Sequence, residues 1–324
     1  MIRPNNKIII IGTLPPPIGG VSIYNKRLFD YLQNEEGIEA DFIDYKRNSI
    51  FEVLKAVIRH KIIYLNCSSS LFKFFIATLS ALFNKKLLIT FHGNIERHSN
   101  GVTPLNKLII KFATMTIALN RQSFDYAAKY SGKVFLGTAF IPPMRKEELS
   151  DEIKTLLADC RKNYKVICSS NAHNVSIDKS GNEIYQVRFL LSIFSELADC
   201  CIILSDPSGM YSSYLSKLKV EIPKNVFIIK FTHSYFELLK EIDVMLRITT
   251  TDGDSISVRE ALFLQKIVIA SNVVDRPAGV VCVSISREEI IAKLGEVLSG
   301  TVAPSTETIE HGGKQILGIF ASLK

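Results

Sequence analysis

At 324 residues the chain is longer than a single hydrophobic core usually supports, which predicts two domains of about 150 residues each. With 47% apolar and 22% charged residues, 17 Gly and 11 Pro, it is neither disordered nor fibrous in composition and can build a core in both halves. The net charge of +7 is unevenly spread: residues 1–145 carry 19 Lys and Arg against 9 Asp and Glu, and the remainder 20 against 23.

Cys67, Cys160, Cys168, Cys200, Cys201 and Cys282 lie mostly in or beside apolar runs and lack C-x-x-C spacing, so they are expected to be reduced core residues of a cytosolic protein. Residues 1–7 are polar and lead into a strand, without the apolar region of a signal peptide. The longest apolar stretch, 71–83, is broken by Lys73 and too short to span a bilayer.

The first strand is expected at 7–12 and runs into Gly12-Thr13-Leu14-Pro15-Pro16-Pro17-Ile18-Gly19-Gly20-Val21. Gly19 and Gly20 let backbone approach a ligand, and N–H groups opening a helix from about Ser22 favour an anion such as a diphosphate. A strand-to-helix turn needs glycine in any case. The loop is not G-x-G-x-x-G, which argues against a dehydrogenase. Strands follow at 39–44, 61–66 and 87–91, the last ending in Phe91-His92-Gly93-Asn94. His92 reads either as a hydrogen-bonded structural residue or as a catalytic one. Strands at 115–119 and 133–137 complete a first set of six. Pro142 and Pro143 then stop regular structure, and residues 146–163 form a charged helical connector at a hinge.

The second set is expected at 165–170, 200–205, 226–230, 242–246, 267–271 and 279–283. Short β-branched runs alternating with helical stretches predict parallel sheets covered on both faces, with ligands beyond the carboxyl ends of the strands. Between the fourth and fifth of these strands an acidic loop leads to Ser255 or Ser257 as the N-cap of a helix carrying Glu260. Asp254 and Ser255 could serve as caps alone. Capping, however, does not call for two acids, Asp252 and Glu260, eight positions apart and flanked by Arg247 and Arg259. Residues 305–324 read as a helix after a Thr/Pro/Ser-rich turn.

Asp252 and Glu260 resemble the E-x7-E signature of group-one retaining glycosyltransferases, the family of glycogen synthase-like and capsule-building enzymes. The run Glu260-Ala261-Leu262-Phe263-Leu264-Gln265-Lys266-Ile267-Val268-Ile269-Ala270-Ser271 is similar to the family's EA-x-x-x-G-x-P-V-I-A-S. The Pro-Pro-x-Gly-Gly-Val loop and the His92-Gly93 pair fall in the family's order, so the resemblance spans most of the chain. Three departures stand out: Asp252 is shorter than the usual Glu, and Gln265 and Ile267 replace a glycine and a proline. The Arg and Lys that neutralise the donor diphosphate are only partly matched, by Lys179 in Asp178-Lys179-Ser180-Gly181, with His173 or Asn174 in the Arg region.

The resemblance implies an α/β protein of GT-B architecture, two Rossmann-like doubly wound domains facing a central cleft. An acceptor domain would span 1–145 and a nucleotide-sugar domain 146–304, with 305–324 packing back across the cleft. It implies a retaining, metal-independent transfer from a UDP- or GDP-sugar to a glycan or polyprenyl-diphosphate-linked acceptor in surface polysaccharide biosynthesis. Glu260 would accept hydrogen bonds from the ribose, and Asp252 would contact hydroxyls of the transferred sugar. Backbone N–H groups at Ser255, Ile256 and Ser257 and at Gly19 and Gly20, with Lys179, would hold the leaving diphosphate. Asp254, Arg247 and Arg259 complete the expected donor site, the two arginines as substitutes for the missing one. His92 would orient the donor sugar or share the leaving-group proton. No cofactor is expected, because the nucleotide sugar is a substrate, and no D-x-D cluster in the first half calls for a metal.

The basic first half, with apolar-basic helical segments at 51–61, 71–86 and 105–111, is expected to lie on an anionic membrane. That would make the protein cytoplasmic and peripheral on the inner face of the cytoplasmic membrane; solvated helix faces over a core are the alternative. Nothing in the sequence reads as a nucleic-acid-binding patch. Two rivals share the expected fold: a sugar-nucleotide epimerase, which needs no acceptor, and a non-catalytic nucleotide-sugar-binding partner, which the departures would suit.

Overall fold

A computed structural model describes residues 8–16, 19–34, 38–93, 95, 103–172 and 174–323. Two compact units divide the chain, one formed by Met1–Met144 with Glu310–Lys324, the other by Arg145–Ile309. Each holds one six-stranded sheet, and every strand pair is parallel.

In the first unit β1 (Ile8–Gly12), β2 (Ala40–Asp44), β3 (Ile62–Leu65), β4 (Lys86–Phe91), β5 (Met115–Ala118) and β6 (Val134–Leu136) lie in the order β2-β1-β3-β4-β5-β6. The order in which strands are added therefore reverses between β1 and β3. β1 is apolar at four successive positions because both faces of the sheet are covered. On one face α2 (Ile50–Arg59), α3 (Ser70–Leu82) and α4 (Thr103–Phe112) bring Val53, Val57, Ile76, Ala77, Ile109 and Ile110 against Ile9, Ile63, Leu87 and Ile89. The closing helix α12 (Gly312–Ser322) packs against α1 (Gly20–Asn34). Gln315 Oε1 accepts a hydrogen bond from the Thr138 N–H at 2.9 Å, and the Gly312 N–H reaches the Phe140 carbonyl at 2.7 Å. A Cβ at Gly312 would stand 2.4 Å from the Thr138 carbonyl oxygen, so the approach requires glycine.

In the second unit β7 (Val166–Asn171), β8 (Cys200–Ser205), β9 (Val226–Ile229), β10 (Val244–Arg247), β11 (Ile267–Ser271) and β12 (Val281–Val283) take the order β12-β11-β10-β7-β8-β9. Here the reversal falls between β7 and β10. Apolar cores fill both sides of the sheet, one with α7 (Val187–Phe194) and α11 (Arg287–Leu298), the other with α6 (Asp151–Asn163), α9 (Tyr235–Glu241) and α10 (Ile256–Phe263).

All twelve expected strands are present, their ends displaced by no more than two residues. The connector narrows to α6, because the Ser150 hydroxyl accepts the Ile153 N–H and starts the helix there. Five cysteines are buried as expected, but Cys282 is exposed, since β12 is an edge strand with one covered position. Among the described residues no helix is long and apolar enough to cross a membrane.

Candidate functional site

Polar side chains gather at the carboxyl ends of the strands on either side of each reversal, where an open α/β sheet leaves a crevice. In the second unit the crevice is flanked by Asn171, which ends β7, and Arg247, which ends β10. Arg247 donates through Nε and Nη2 to the two carboxylate oxygens of Asp252, both at 3.0 Å, and through Nη1 to Oδ1 and the carbonyl of Asn171, both at 3.3 Å. Its guanidinium also lies 5.1 Å from the ring centroid of Tyr185. From the loop after β11, Arg276 donates through Nη1 to Asp252 Oδ2 at 2.8 Å and through Nε to the Ser271 carbonyl at 3.0 Å. With the Gly253 N–H on Oδ1, the Asp252 carboxylate accepts four hydrogen bonds.

The electrostatics follow from that enclosure. Burial raises the Asp252 pKa, but Arg247 and Arg276 outweigh burial and bring it down to about 2. One carboxylate thus neutralises one of two buried guanidiniums. The Nη2 of Arg276 is buried with no hydrogen-bond partner among the described residues. Beside this cluster α10 begins: Ser255 stands at the N-cap position without capping, its hydroxyl instead paired with that of Ser257 at 3.1 Å, while Ser257 Oγ donates to Asn171 Oδ1 at 3.0 Å. Uncapped N–H groups at Ile256 and Ser257 suit an anion.

Asn171, Arg247, Asp252 and Ser257 are thereby brought together. Asp254 and Arg259 form their own ion pair next to them. Glu260 is buried on α10, near enough to Tyr235 for its charge to add to burial in holding that phenol protonated. Lys179 makes none of these contacts. It is exposed at the tip of a small hairpin closed by the Ile177–Glu183 bridge, in which Asp178 Oδ1 accepts the N–H groups of Ser180 and Asn182 at 2.8 and 2.9 Å. Asn174 is exposed, and His173 lies outside the described residues.

In the first unit the crevice lies between β1 and β3 and continues to the end of β4. Asn25 on α1 donates through Nδ2 to the carbonyls of Thr13 and Asn66, at 3.0 and 3.3 Å, which fixes its amide orientation. Asn66 Nδ2 donates in turn to Asn25 Oδ1, leaving Asn66 Oδ1 to accept a hydrogen bond from His92 Nε2. His92 therefore carries its proton on Nε2 and keeps an Nδ1 lone pair. Burial, reinforced by the charge of Lys73, pushes its pKa down to about 3, so the ring is neutral at physiological pH. Gly12 makes room for this network: a Cβ there would stand 2.4 Å from Asn25 Nδ2 and 2.9 Å from the Asn66 carbonyl oxygen. Gly19 and Gly20 open α1, where the Ser22 hydroxyl accepts the Gly19 N–H at 3.0 Å. Pro17, Ile18 and Asn94 lie outside the described residues.

Asn25, Asn66, Asn171 and Arg276 were not singled out by the sequence. Asn66 and Asn171 carried a signal, a polar residue closing an apolar strand. A cavity of about 440 Å³ lies elsewhere in the second unit, along β9 and lined by Leu156, Leu215 and Val226; it lacks a comparable convergence of polar groups.

No protein-family model matches the chain, and no curated protein matches its sequence. Solved structures match its fold. Anabaena HepE in complex with UDP-glucose superposes with a TM-score of 0.66 at 13% identity, covering 91% of this chain and 90% of that one. UDP-GlcNAc 2-epimerase from Neisseria meningitidis bound to UDP-GlcNAc gives 0.59 at 13% identity, covering 98% and 100%. Sucrose-phosphate synthase from Thermosynechococcus elongatus gives 0.62 at 15% identity, covering 91% and 90%. The fold is GT-B, with two Rossmann-like domains.

Proposed function

We propose that the protein is a glycosyltransferase that takes its sugar from a nucleotide diphosphate donor bound at the reversal point of the second sheet. The observation that carries this reading is the Arg247–Asp252–Arg276 cluster beside the uncapped start of α10, a fixed positive surface at the sheet's carboxyl edge. Such a surface stabilises charge that develops on a leaving diphosphate without reorganising, the largest single contribution in many enzymes. Arg276, with its unpartnered Nη2, is the group we assign to the diphosphate in place of the missing family arginine. Asp252 holds the two guanidiniums in position and meets a sugar hydroxyl only if one of them yields. Glu260 is assigned to the ribose, and the N–H groups of Ser255, Ile256 and Ser257 to phosphate oxygens. Lys179 on its hairpin remains in the proposed donor set, and the Arg259–Asp254 pair buttresses the loop. The UDP ligands of the fold's relatives favour a UDP-sugar.

In the first unit neutral His92 offers Nδ1 to a sugar hydroxyl. With a pKa near 3 it is too weak a base to carry the leaving-group proton, so its role is orientation. The acceptor is a glycan or a lipid-linked glycan of surface polysaccharide biosynthesis. A membrane location is supported by the outward face of α2 and α3, where Phe51, Leu71 and Leu82 are 78%, 77% and 75% exposed beside exposed Lys55, Arg59, Lys61 and Lys86. An apolar ridge bordered by cations suits an anionic bilayer surface, and a cytoplasmic, peripheral enzyme follows.

Incubation with a panel of nucleotide sugars tests the reading. Transfer with retained anomeric configuration, surviving EDTA, is expected; an inverted product or manganese-dependent activity would move the protein out of the group-one class. The epimerase reading is favoured by one observation, the equally complete fold match to a UDP-GlcNAc 2-epimerase. Free epimerised nucleotide sugar formed without acceptor would establish it, and nucleotide binding with neither reaction would leave a non-catalytic partner.

A further inference from the structure

Lys73 enters the chemistry described so far only as a charge beside His92, yet it is 4% exposed and sits in the first turn of α3. Helical side chains lean toward the helix N-terminus. Accordingly its Nζ lies back over the start of α3, 4.1 Å from the ring centroid of Phe91 at the end of β4. Among the described residues no carboxylate pairs with it and no hydrogen bond reaches its ammonium. The titratable groups that face it are the Cys67 thiol after β3, which burial keeps protonated, and the neutral His92 after β4. Burial brings the Lys73 pKa down to about 8.

A buried ammonium without a counterion is costly, and this one stands at the positive end of a helix dipole, where a cation is least welcome. The same spot holds the backbone N–H groups of Ser70 and Leu71, which precede the first intrahelical bond, and the Cys67-Ser68-Ser69-Ser70 loop. Ser69 is occupied in capping the Phe72 N–H. The remaining donors have one kind of partner in common.

We propose that Lys73, the N-terminus of α3 and the Ser68–Ser70 loop form a phosphate-binding site in the first unit, which takes a phosphate or diphosphate oxyanion carried by the acceptor. The identity of the bearer rests on the glycosyltransferase reading; the oxyanion site itself does not. The bound anion supplies the counterion that Lys73 lacks and satisfies the open N–H groups of α3. The acceptor class is thereby narrowed to phosphorylated molecules, either a polyprenyl phosphate or diphosphate or a soluble sugar phosphate.

The test is calorimetric titration of the full chain, first with UDP and then, at saturating UDP, with inorganic pyrophosphate. Lys73→Met removes the charge at near-constant shape and relieves a buried cation, so folding is not at risk. The variant is expected to keep its UDP affinity and lose roughly tenfold or more in pyrophosphate affinity. Wild-type affinity should also fall as the pH rises through about 8, where Lys73 loses its proton, with that component absent from the variant. Competition by a short-chain polyprenyl phosphate in one arm and a hexose phosphate in the other identifies the source of the phosphate. Pyrophosphate bound equally by wild type and Lys73→Met, or by neither, overturns the site whatever UDP does. Lys73-dependent pyrophosphate binding in a chain that takes no UDP would keep the site and sink the donor reading instead.

Discussion

Arg276 reaches Asp252 from 24 residues further along the chain, its Nη1 2.8 Å from Oδ2, and it is the contact that ties the loop after β11 to the loop after β10. Removing the carboxylate leaves two buried guanidiniums facing each other. Asp252→Ala is expected to destabilise the second unit by about 3–5 kcal/mol, the usual cost of breaking a buried ion pair from one side. Because the folded-state pKa is depressed to about 2 from 3.8, the stability linked to this group is present above pH 4 and lost as the pH falls between those two values. Chemical denaturation at several pH values, with Asp252→Asn alongside, checks both parts; an unchanged midpoint would show the cluster to be energetically idle.

Nucleotide binding should separate Glu260 from Arg276. Glu260→Ala is expected to weaken UDP by roughly 1.5–3 kcal/mol, the worth of a charge-assisted hydrogen bond to ribose. Arg276→Met should weaken UDP comparably while leaving uridine binding alone, since only the diphosphate meets it. Calorimetry with both ligands decides the matter, and equal loss of uridine and UDP in Arg276→Met would remove that arginine from the diphosphate site.

Gly12→Ala makes a sharp demand on the first unit. The new Cβ would fall 2.4 Å from Asn25 Nδ2, so Asn25 must give way and Asn66 loses the amide that aligns it with His92. We expect about 1–3 kcal/mol of destabilisation from the overpacking and a loss of turnover out of proportion to any change in UDP affinity. Full activity in a folded Gly12→Ala protein would exclude the Asn25–Asn66–His92 relay from function.

Anionic vesicles should bind the protein and neutral ones should not. Attraction between exposed lysines and the surface is screened over a Debye length of about 8 Å at physiological salt, so binding should weaken as salt rises. Phe51→Ser with Leu71→Ser should reduce co-sedimentation at every salt concentration, because it removes the apolar ridge and leaves the charges. Sedimentation indifferent to lipid charge and to these substitutions would leave the ridge to another partner.

The strands were legible in the sequence because a parallel sheet covered on both faces demands short apolar runs such as Ile8 to Ile11 and Cys200 to Leu204. Arg247, Asp252 and Ser257 were legible as members of one loop, but not their partners. Asn171 and Arg276 join them through β7 and the loop after β11, and pairings between distant strand ends leave no local spacing to read. Lys73 was visible only as a charge interrupting an apolar helix. Its isolation depends on Phe91 and the end of β3, which sequence periodicity cannot place beside it.

The interrupted make-up of the first unit orders events during synthesis. Residues Arg145–Ile309 have been translated in full while the first unit still lacks Glu310–Lys324, and with it the helix that lays Phe320 against Tyr64 and Gln315 against Thr138. The later half of the message is therefore translated into a complete unit before the earlier half is, and a nascent chain stalled short of residue 310 exposes the side of β3 and α1 that α12 should cover.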